Sequence, residues 1–451
     1  MTLSYYNYKL ASGVKKIKTK TALAISGVTL GLGGLVIGLA ALPLGAHAAV
    51  SSPACNVPTS TYPTIQSAVN SSSCTTINVA PGIYSENVTI PRPLTLKGAQ
   101  VGVDARGRVA SESIINGDNA ANITITANNV TIDGFTLNGP VSQGTAAIVM
   151  NGRNTGETIK NNIVNNPGRA ASFNTNDTIF TQNRVNNTLA TASDGFQANS
   201  TPLSNLTISD NTFSGAKPAI YNADITVIEG NSNVTVSGNN SNGDGTLIAL
   251  FKTNGATISN NTVVGDGSSS AIYVGGGNSN VIVSGNTVSL AGTAVNVTNY
   301  LNTVGIYIGN NSGVAITENN LHNNKTGVKI SANAVASENA VVAHNNSLTG
   351  NSDFGVNNLS PFTANATCNW WGASNGPGQV GTGSGDKVST GVTYEPWLNS
   401  SNLNGACIGI NVVTNKDQCK NDGWQLLTDA NGKTFKNQGD CVSFVATNGK
   451  H

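Results

Sequence analysis

The stretch TISNNTVVGDG, residues 257–267, contains the pattern that decides the fold, because close variants of it recur along the chain. The variants are TISDNTF at 207–213, IVSGNTV at 282–288 and AITENNL at 315–321. In each, an apolar residue precedes an asparagine by three positions and another follows it by two. One such unit cannot bury its own apolar face, whereas stacked units can. The repeat therefore predicts a solenoid.

The asparagine of the repeat predicts a ladder that runs from unit to unit. Its members are Asn162, Asn183, Asn211, Asn239, Asn261, Asn286, Asn319 and Asn345. Between them a small residue opens an alternating segment, as in Ala271-Ile272-Tyr273-Val274. Alternation places one face inward and one outward. Two or three such strands per repeat, stacked about 4.8 Å apart, are typical of a parallel β-solenoid.

These asparagine steps resemble the repeats of right-handed parallel β-helix proteins, the group that shares the pectate lyase fold, over roughly residues 60–398. The resemblance implies that each asparagine lies in a tight turn and bonds the backbone of the adjacent coils, a role that suits its side chain. The expected fold is all-β, a right-handed parallel β-helix of about ten coils.

Both ends of the repeat region have features that fit a capped solenoid. Residues 64–69, TIQSAV, read as a short amphipathic helix that would cover the open N-terminal end. Residues 77–98 resemble the first coils of pectin methylesterases and their secreted relatives. CNWWG at 368–372 and EPWL at 395–398 resemble the closing segment of exported bacterial β-helix proteins. The tryptophans there are expected to cap the core, with a sugar platform as the alternative.

The first 48 residues read as an export signal. Five lysines precede a charge-free run over 21–44, which ends in Ala46-His47-Ala48, the small-x-small form of a cleavage site. The run is also long enough for an uncleaved membrane anchor, so both alternatives stay open. The predicted organisation is a signal peptide over 1–48, a β-helix domain over 49–398 and a small module over 399–451. The protein is expected to be secreted or at the cell surface.

Charge and cysteines narrow the partners and the compartment. The chain has 23 Lys and Arg against 22 Asp and Glu, and the leader holds five of the basic residues and no acidic ones, so 18 minus 22 leaves −4. Nucleic acid binding is therefore not expected. Of the 15 possible pairings of six cysteines, proximity in sequence favours Cys55–Cys74, Cys368–Cys407 and Cys419–Cys441, the last holding together the small C-terminal module.

The resemblance implies a scaffold on which enzymes occur, but their catalytic motifs are missing. The sequence has no Asp-Asp, Gly-His-Gly or Arg-Ile-Lys, and every arginine lies at or before Arg184. Four candidates remain: Asp244 and Asp266, which would stack on adjacent coils, and Glu318 and His344, which precede ladder asparagines. The aspartates could share a calcium ion or cap turns, and no other cofactor is expected. The sequence leans against an enzyme.

The outward residues of the alternating segments predict a binding stripe. Its members are Gln197, Tyr221, Tyr273, Tyr307 and Lys329, with Ala249 and Asn357 between and after them. Tyrosines and amides one coil apart can stack on and hydrogen-bond to a chain of sugars, although strand propensity alone also favours tyrosine. The expected function is polysaccharide or cell-surface glycan binding, or adhesion. A divergent polysaccharide lyase or glycoside hydrolase and a purely structural surface protein are the alternatives, and membrane contact is expected only if the leader stays uncleaved.

Overall fold

The computed structural model describes residues 54–447 apart from several short segments. The segments left out are 140–144, 187–194, 199–201, 216–222, 228–229, 244, 300–308, 406, 408–412, 421–422, 428 and 430–434. The predicted leader, residues 1–48, lies outside the described residues. Within them, no helix is both long and apolar enough to cross a membrane.

The chain winds through three parallel sheets, and each turn of the solenoid adds a strand to sheet A, then sheet B, then sheet C. Sheet A has 14 strands: Ala54–Val57, Thr76–Val79, Thr95–Lys97, Thr131–Asp133, Thr158–Lys160, Ile179–Thr181, Ser204–Ser209, Ser232–Ser237, Asn254–Ser259, Ser279–Ser284, Ser312–Thr317, Val341–His344, Ala364–Asn365 and Val392–Thr393. Each strand pairs in parallel with the one a coil away, as Thr257 does with Ile282.

Sheets B and C complete the coils. Sheet B has 11 strands: Gly82–Tyr84, Ser113–Asn116, Phe135–Asn138, Ile163–Asn165, Arg184–Asn186, Thr212–Ser214, Asn240–Asn242, Thr262–Val264, Thr287–Ser289, Asn320–His322 and Ser347–Thr349. Sheet C has 13 strands: Val88–Ile90, Ile123–Ile125, Ala146–Met150, Arg169–Phe173, Phe196–Ala198, Ile225–Val227, Ile248–Leu250, Ser270–Val274, Thr293–Val297, Thr326–Ile330, Phe354–Asn358, Pro377–Gln379 and Gly385–Val388. The predicted all-β, right-handed parallel β-helix of about ten coils is confirmed, and the described residues contain eleven coils that have a strand in each sheet.

The core is the space enclosed by the three sheets. In the coil that contains residues 254–274, Ile258, Val263 and Ile272 point inward and are fully buried, while the strand neighbours of Ile258 and Val263 are partly or fully exposed. The same arrangement repeats in the next coil with Val283, Val288 and Val295. The apolar residues around each asparagine of the repeat are thus the wall residues of a single continuous core.

The predicted ladder lies at the corner between sheets A and B, where each coil from Asn162 to Asn346 turns within two residues. Asn261 is representative: its side-chain oxygen accepts from the backbone N–H and Nδ2 of Asn239 at 2.9 and 3.0 Å, and its Nδ2 donates to Val236 O and Asn286 Oδ1, both at 2.9 Å. The ladder comprises Asn162, Asn183, Asn211, Asn239, Asn261, Asn286, Asn319, Asn346 and Asn369. Each buried amide therefore satisfies the backbone of its neighbouring coils.

The prediction of Asn345 as a ladder member is wrong by one residue. Asn346 is the buried amide that accepts from Asn319, whereas Asn345 has a φ of 54° and lies in the left-handed turn position just before it. The inward residues of the preceding strand are Val341 and Ala343, while Val342 faces outward. Counting three positions from the bulkier Val342 selected Asn345, but counting from the small inward Ala343 selects Asn346.

Two further buried amide ladders lie at the other corners of the solenoid. Between sheets B and C, Asn324 accepts from Ala291 and Asn351 accepts from Asn324, and the Asp386 carboxylate ends this row by accepting from Asn351 at 2.7 and 3.0 Å. Burial raises the pKa of Asp386, although the donors of Asn351 oppose that shift. Between sheets C and A, the amides of Asn278 and Asn311 are joined in the same way. Polar rows therefore support all three corners.

The N-terminal coil is covered by the helix Ile65–Asn70, as predicted from its amphipathic pattern. Ile65, Ala68 and Val69 are buried against the first coil. The Glu86 carboxylate accepts from the first helical N–H groups at 2.9 Å, and Arg92 donates to the carbonyl of Val69 at the opposite end. Charged partners at both termini satisfy backbone groups that the helix leaves free.

The C-terminal end is closed by Trp371, which is fully buried, and by Trp397, of which 6% is exposed. The structure contains the disulfides Cys55–Cys74, Cys368–Cys407 and Cys419–Cys441. Beyond the last coil, Cys419 and Cys441 join Val413, Leu427 and Phe435 in a small separate core. The helices there are Lys416–Cys419 and Gly423–Leu426, both 3-10, and the α-helix Gln438–Ala446. Another 3-10 helix, Ala105–Gly107, lies between the sheet A strand Thr95–Lys97 and the sheet B strand Ser113–Asn116.

Candidate functional site

The outward residues of sheet C form a straight row in register. The row runs through Thr124, Val149, Ser172, Gln197, Thr226, Ala249, Tyr273, Asn296, Lys329 and Asn357. Neighbouring members are one coil apart, about 4.8 Å. From Gln197 to Asn296 the row spans four coil steps, or roughly 19 Å, which is enough for several sugar units.

The connections on both sides of sheet C differ in length from coil to coil. The corner between sheets A and B is a two-residue turn in most coils, as at 210–211, 260–261 and 285–286, although residues 98–112 form a long connection there. Among the described connections, those from sheet B to sheet C range from 290–292 to 117–122, and those from sheet C to sheet A range from 251–253 to 331–340. Variable connections on both sides of a rigid strand row are where a scaffold of this kind carries its binding residues.

Two of the three predicted stripe tyrosines, Tyr221 and Tyr307, lie outside the described residues. In the described strands, Thr226 holds the row position between Gln197 and Ala249, and Asn296 holds the position between Tyr273 and Lys329. These two residues belong to the strands Ile225–Val227 and Thr293–Val297.

Gln197, Tyr273 and Lys329 do lie in the row, as predicted. Asn296 was missed, although Thr293-Ala294-Val295-Asn296-Val297 has the same small-then-alternating pattern as Ser270–Val274 and follows its ladder asparagine more closely than 305–308 does. Proximity to the preceding ladder asparagine is therefore the better guide to the strand.

An aromatic shelf occupies the centre of the row. Phe251 and Tyr273 pack with their ring centroids 5.6 Å apart, and with Ala223 and Ala249 they form a cluster separate from the main core. Phe251 follows the strand Ile248–Leu250, and its ring lies over Gly275, where an added Cβ would be 2.2 Å from the ring. Only glycine at 275 leaves room for the ring, so the backbone of the next coil forms the floor of this shelf.

Two amide oxygens flank the shelf without a hydrogen-bond partner. Gln197 Oε1 and Asn296 Oδ1 are both shielded from solvent, and neither accepts a hydrogen bond from the described residues. The amide nitrogen of Asn296 is held, because it donates to Ser270 Oγ at 3.1 Å. Unsatisfied buried acceptors are uncommon in folded proteins; others among the described residues, such as Asn122 Oδ1 and Asn161 Oδ1, lie outside this row. We call the row from Gln197 to Asn296, together with the aromatic shelf, the C-face site.

Asp266, one of the two predicted catalytic aspartates, is held by hydrogen bonds within its own turn. The Asp266 carboxylate accepts from the backbone N–H groups and hydroxyls of Ser268 and Ser269 at 2.8–3.0 Å. Burial alone would raise the pKa of Asp266, but these hydrogen bonds outweigh it and hold the pKa below its usual range. Asp266 thus caps its own turn, and Asp244 lies outside the described residues.

The Glu318 and His344 hypothesis changes with the ladder register. Because Asn346 rather than Asn345 is the ladder member, His344 pairs with Thr317 and not with Glu318. The His344 ring instead has Nε2 2.9 Å from Asn365 Oδ1 and 2.9 Å from Thr367 Oγ1. Within the described part of the chain, no group of three or more His, Cys, Asp and Glu side chains converges as a metal site would require.

A buried carboxyl that sequence reasoning missed lies inside the solenoid. Glu157 occupies the inward column between Val130 and Thr178, and its side chain is fully buried. Burial raises the pKa of Glu157 to about 7; its own backbone amide and the Thr175 hydroxyl oppose the shift only in part, and the Asp177 carboxylate adds to it. Neither carboxyl oxygen makes a well-formed hydrogen bond. Because it faces the core, Glu157 bears on stability rather than on ligand contact.

Comparisons with known proteins agree with the architecture. Residues 226–370 match the family described as right handed beta helix region. Among solved structures, the chain resembles an alginate lyase from Paenibacillus sp. str. FPU-7, at 16% identity and a TM-score of 0.44, covering 60% of this chain and 96% of that one. It also resembles the A-module of the mannuronan C-5 epimerase AlgE6 from Azotobacter vinelandii, at 14% identity and a TM-score of 0.40, covering 67% and 91%.

A third similar structure is the tailspike protein of E. coli bacteriophage HK620, at 14% identity and a TM-score of 0.32, covering 68% of this chain and 56% of that one. No curated protein sequence matches this chain. At these sequence identities the likeness concerns the fold alone.

Proposed function

We propose that this protein binds polysaccharide through the C-face site, as a glycan-binding or adhesion module. The observation that carries the proposal is the aromatic shelf, in which Tyr273 remains partly exposed on the outer face of sheet C against Phe251. Aromatic rings present an apolar face that suits the apolar face of a sugar ring, and the phenol adds a polar group. On one side of Tyr273 the partly exposed Asn296 and Lys329 let neighbouring sugars contact successive coils, whereas Ala249 and Thr226 on the other side are buried.

The proposal places the protein outside the cytoplasm. Three disulfides hold its two ends, and disulfides persist in oxidising compartments. The leader-like residues 1–48 are consistent with export, and either a secreted or a surface-attached form would meet extracellular glycans. The roles of the β-helix over 49–398 and of the module over 399–451 are then display of the C-face site and closure of the chain end, respectively.

Tyr273→Ala is expected to weaken glycan retention about tenfold, because an aromatic stacking contact is worth about 0.5–1.5 kcal/mol beyond the area it buries. Retention can be measured by affinity electrophoresis of the purified protein through gels that contain dissolved polysaccharides. Tyr273→Phe is the matched control, since it keeps the ring of the shelf and should retain most of the affinity. Equal mobility of Tyr273→Ala and the unchanged protein in every polysaccharide gel would contradict the proposal.

The rival function, a polysaccharide lyase or hydrolase, predicts a chemical product. Under the binding proposal, incubation with neutral polysaccharides and with uronic acid polymers yields neither new reducing ends nor unsaturated products. Product formation that is lost in Asp266→Asn or His344→Gln would favour the enzyme instead. No product is expected because the Asp266 carboxylate accepts hydrogen bonds from its own turn and the His344 ring is hydrogen-bonded to the side chain of Asn365.

A further inference from the structure

The two unpartnered amide oxygens of the C-face site differ from other outward amides of the solenoid. On the outer face of sheet B, Asn138 donates to Asn116, Asn165 to Asn138 and Asn186 to Asn165, at 2.8–3.1 Å. Those side chains satisfy one another along the row. On sheet C, Gln197 Oε1 and Asn296 Oδ1 accept no hydrogen bond, although a desolvated acceptor costs free energy until a donor reaches it.

The positions of the two oxygens fit one extended ligand. Gln197 lies two coils before Ala249 in the row, and Asn296 lies one coil after Tyr273. A chain of sugars laid on the shelf would therefore bring one unit near each oxygen, with an apolar ring face on Tyr273, which the buried Phe251 supports from below. Because both oxygens are shielded from solvent in the free protein, such binding requires a rotation of the Gln197 and Asn296 side chains.

We infer that the C-face site selects a neutral, hydroxyl-rich polysaccharide over a polyuronate, an inference that rests on the proposed function. Unpartnered acceptors need hydrogen-bond donors, which sugar hydroxyl groups supply. An ionised carboxylate is an acceptor only, so beside Gln197 Oε1 or Asn296 Oδ1 it would leave the amide oxygen unsatisfied and add repulsion.

The charge of the row supports the same selection. Of the row's members, Lys329 is the one charged residue, and it lies one coil beyond Asn296. A polyuronate carries a carboxylate on each sugar, and its recognition requires cations or metal ions spaced along the site. Within the described residues of the row one ammonium faces a stretch of about ten coils, which leaves most such carboxylates without a partner.

The test compares neutral with acidic probes on the purified full chain. Affinity electrophoresis is run in gels that contain soluble β-glucan, mannan or starch, and separately polygalacturonate or alginate, each at low and high salt. We expect retention by at least one neutral polymer that persists at high salt, and weaker retention by both polyuronates. Binding through charge would instead fall as salt screens it.

Variants assign the selection to the two oxygens. Asn296→Leu and Gln197→Met remove one acceptor each and are expected to weaken binding of the neutral polymer roughly three- to tenfold, the range for one neutral hydrogen bond. Asn296→Asp keeps an acceptor oxygen and should retain neutral binding better than Asn296→Leu while weakening any polyuronate binding. Thr257→Val, outward on sheet A of the same coil as Tyr273, is the control and should bind as the unchanged protein does.

The outcomes separate the two proposals. Tighter binding of polygalacturonate or alginate than of every neutral polymer overturns the inference and leaves the glycan-binding function in place. Neutral binding that is the same in Asn296→Leu, Gln197→Met and Thr257→Val overturns the role of the two oxygens. Mobility that no polymer changes overturns the proposed function itself. Thermal unfolding of each variant near that of the unchanged protein excludes misfolding as the cause.

Discussion

Asn261→Leu is expected to destabilise the solenoid on the order of 4 kcal/mol, because it removes a buried amide from the centre of the ladder at the corner of sheets A and B. Leucine is close to asparagine in size but has no polar group. The backbone N–H and Nδ2 of Asn239 and the carbonyl of Val236 each lose a partner that Asn261 provides at 2.9–3.0 Å. Each such buried group without a partner costs about 1–3 kcal/mol.

The neighbouring residue supplies a matched control. Asn260 is exposed and has a φ of 55°, in a turn position where the preceding and following coils have Gly238 and Gly285 at 64°. Asn260→Gly is compatible with that backbone and is expected to change the free energy of unfolding by less than about 0.5 kcal/mol. Urea unfolding followed by circular dichroism measures both variants. Equal midpoints for Asn261→Leu and Asn260→Gly would show that the ladder amide contributes little.

The ladder and the core around it could be predicted because one local rule repeats. An inward apolar residue three positions before the amide and another two positions after it, such as Ile258 and Val263, are present in most coils. The rule failed at Asn345, where the inward residue is Ala343 and the bulkier Val342 points outward. The repeat thus identifies the ladder asparagine correctly only where the bulkier apolar residue of the strand is also the buried one.

The strands of sheet C were harder to place, and so was the site. In the coils from Asn162 to Asn346 the turn between sheets A and B has a fixed length of two residues, which keeps sheet B in phase with the ladder, but the connection from sheet B to sheet C varies in length. After Thr212–Ser214 the next described strand of sheet C is Ile225–Val227, which the sequence pattern did not single out. Which outward side chains share a row therefore depended on loop lengths that no local pattern reveals, and Thr226 and Asn296 were assigned to the row by the backbone pairing alone.

Glu157 could have been found from the sequence by aligning columns. The residue five positions before the ladder asparagine is Leu206, Val234, Ala256, Val281, Val314 and Val341 in successive coils, all buried. In the coil of Asn162 that position is Glu157. Among these buried residues and the neighbouring Thr178, Glu157 is the one whose cost of burial changes with pH.

Glu157→Met is expected to stabilise the protein above neutral pH by about 3 kcal/mol, because it removes the cost of ionising a buried carboxyl. The pKa of Glu157 is raised from 4.5 to about 7, chiefly by burial. Since the folded state holds this proton more tightly than the unfolded chain, ionisation costs nothing below the unfolded pKa, grows between about pH 4.5 and 7, and is complete above that range. Methionine has a similar length to glutamate, and its flexible apolar side chain can pack in the column between Val130 and Thr178.

The decisive measurement is the difference in the free energy of unfolding between Glu157→Met and the unchanged protein, taken by urea unfolding from pH 4.5 to pH 8. That difference should widen in favour of methionine as pH rises, whatever constant offset its packing adds, because Glu157 is the only titratable group by which the two proteins differ. Asp118→Asn removes an exposed carboxyl from a described turn and should leave the profile parallel to that of the unchanged protein. If the profile of Glu157→Met were also parallel to that of the unchanged protein, the pKa of Glu157 would be the same in the folded and the unfolded state. The interior of this coil would then have to admit water.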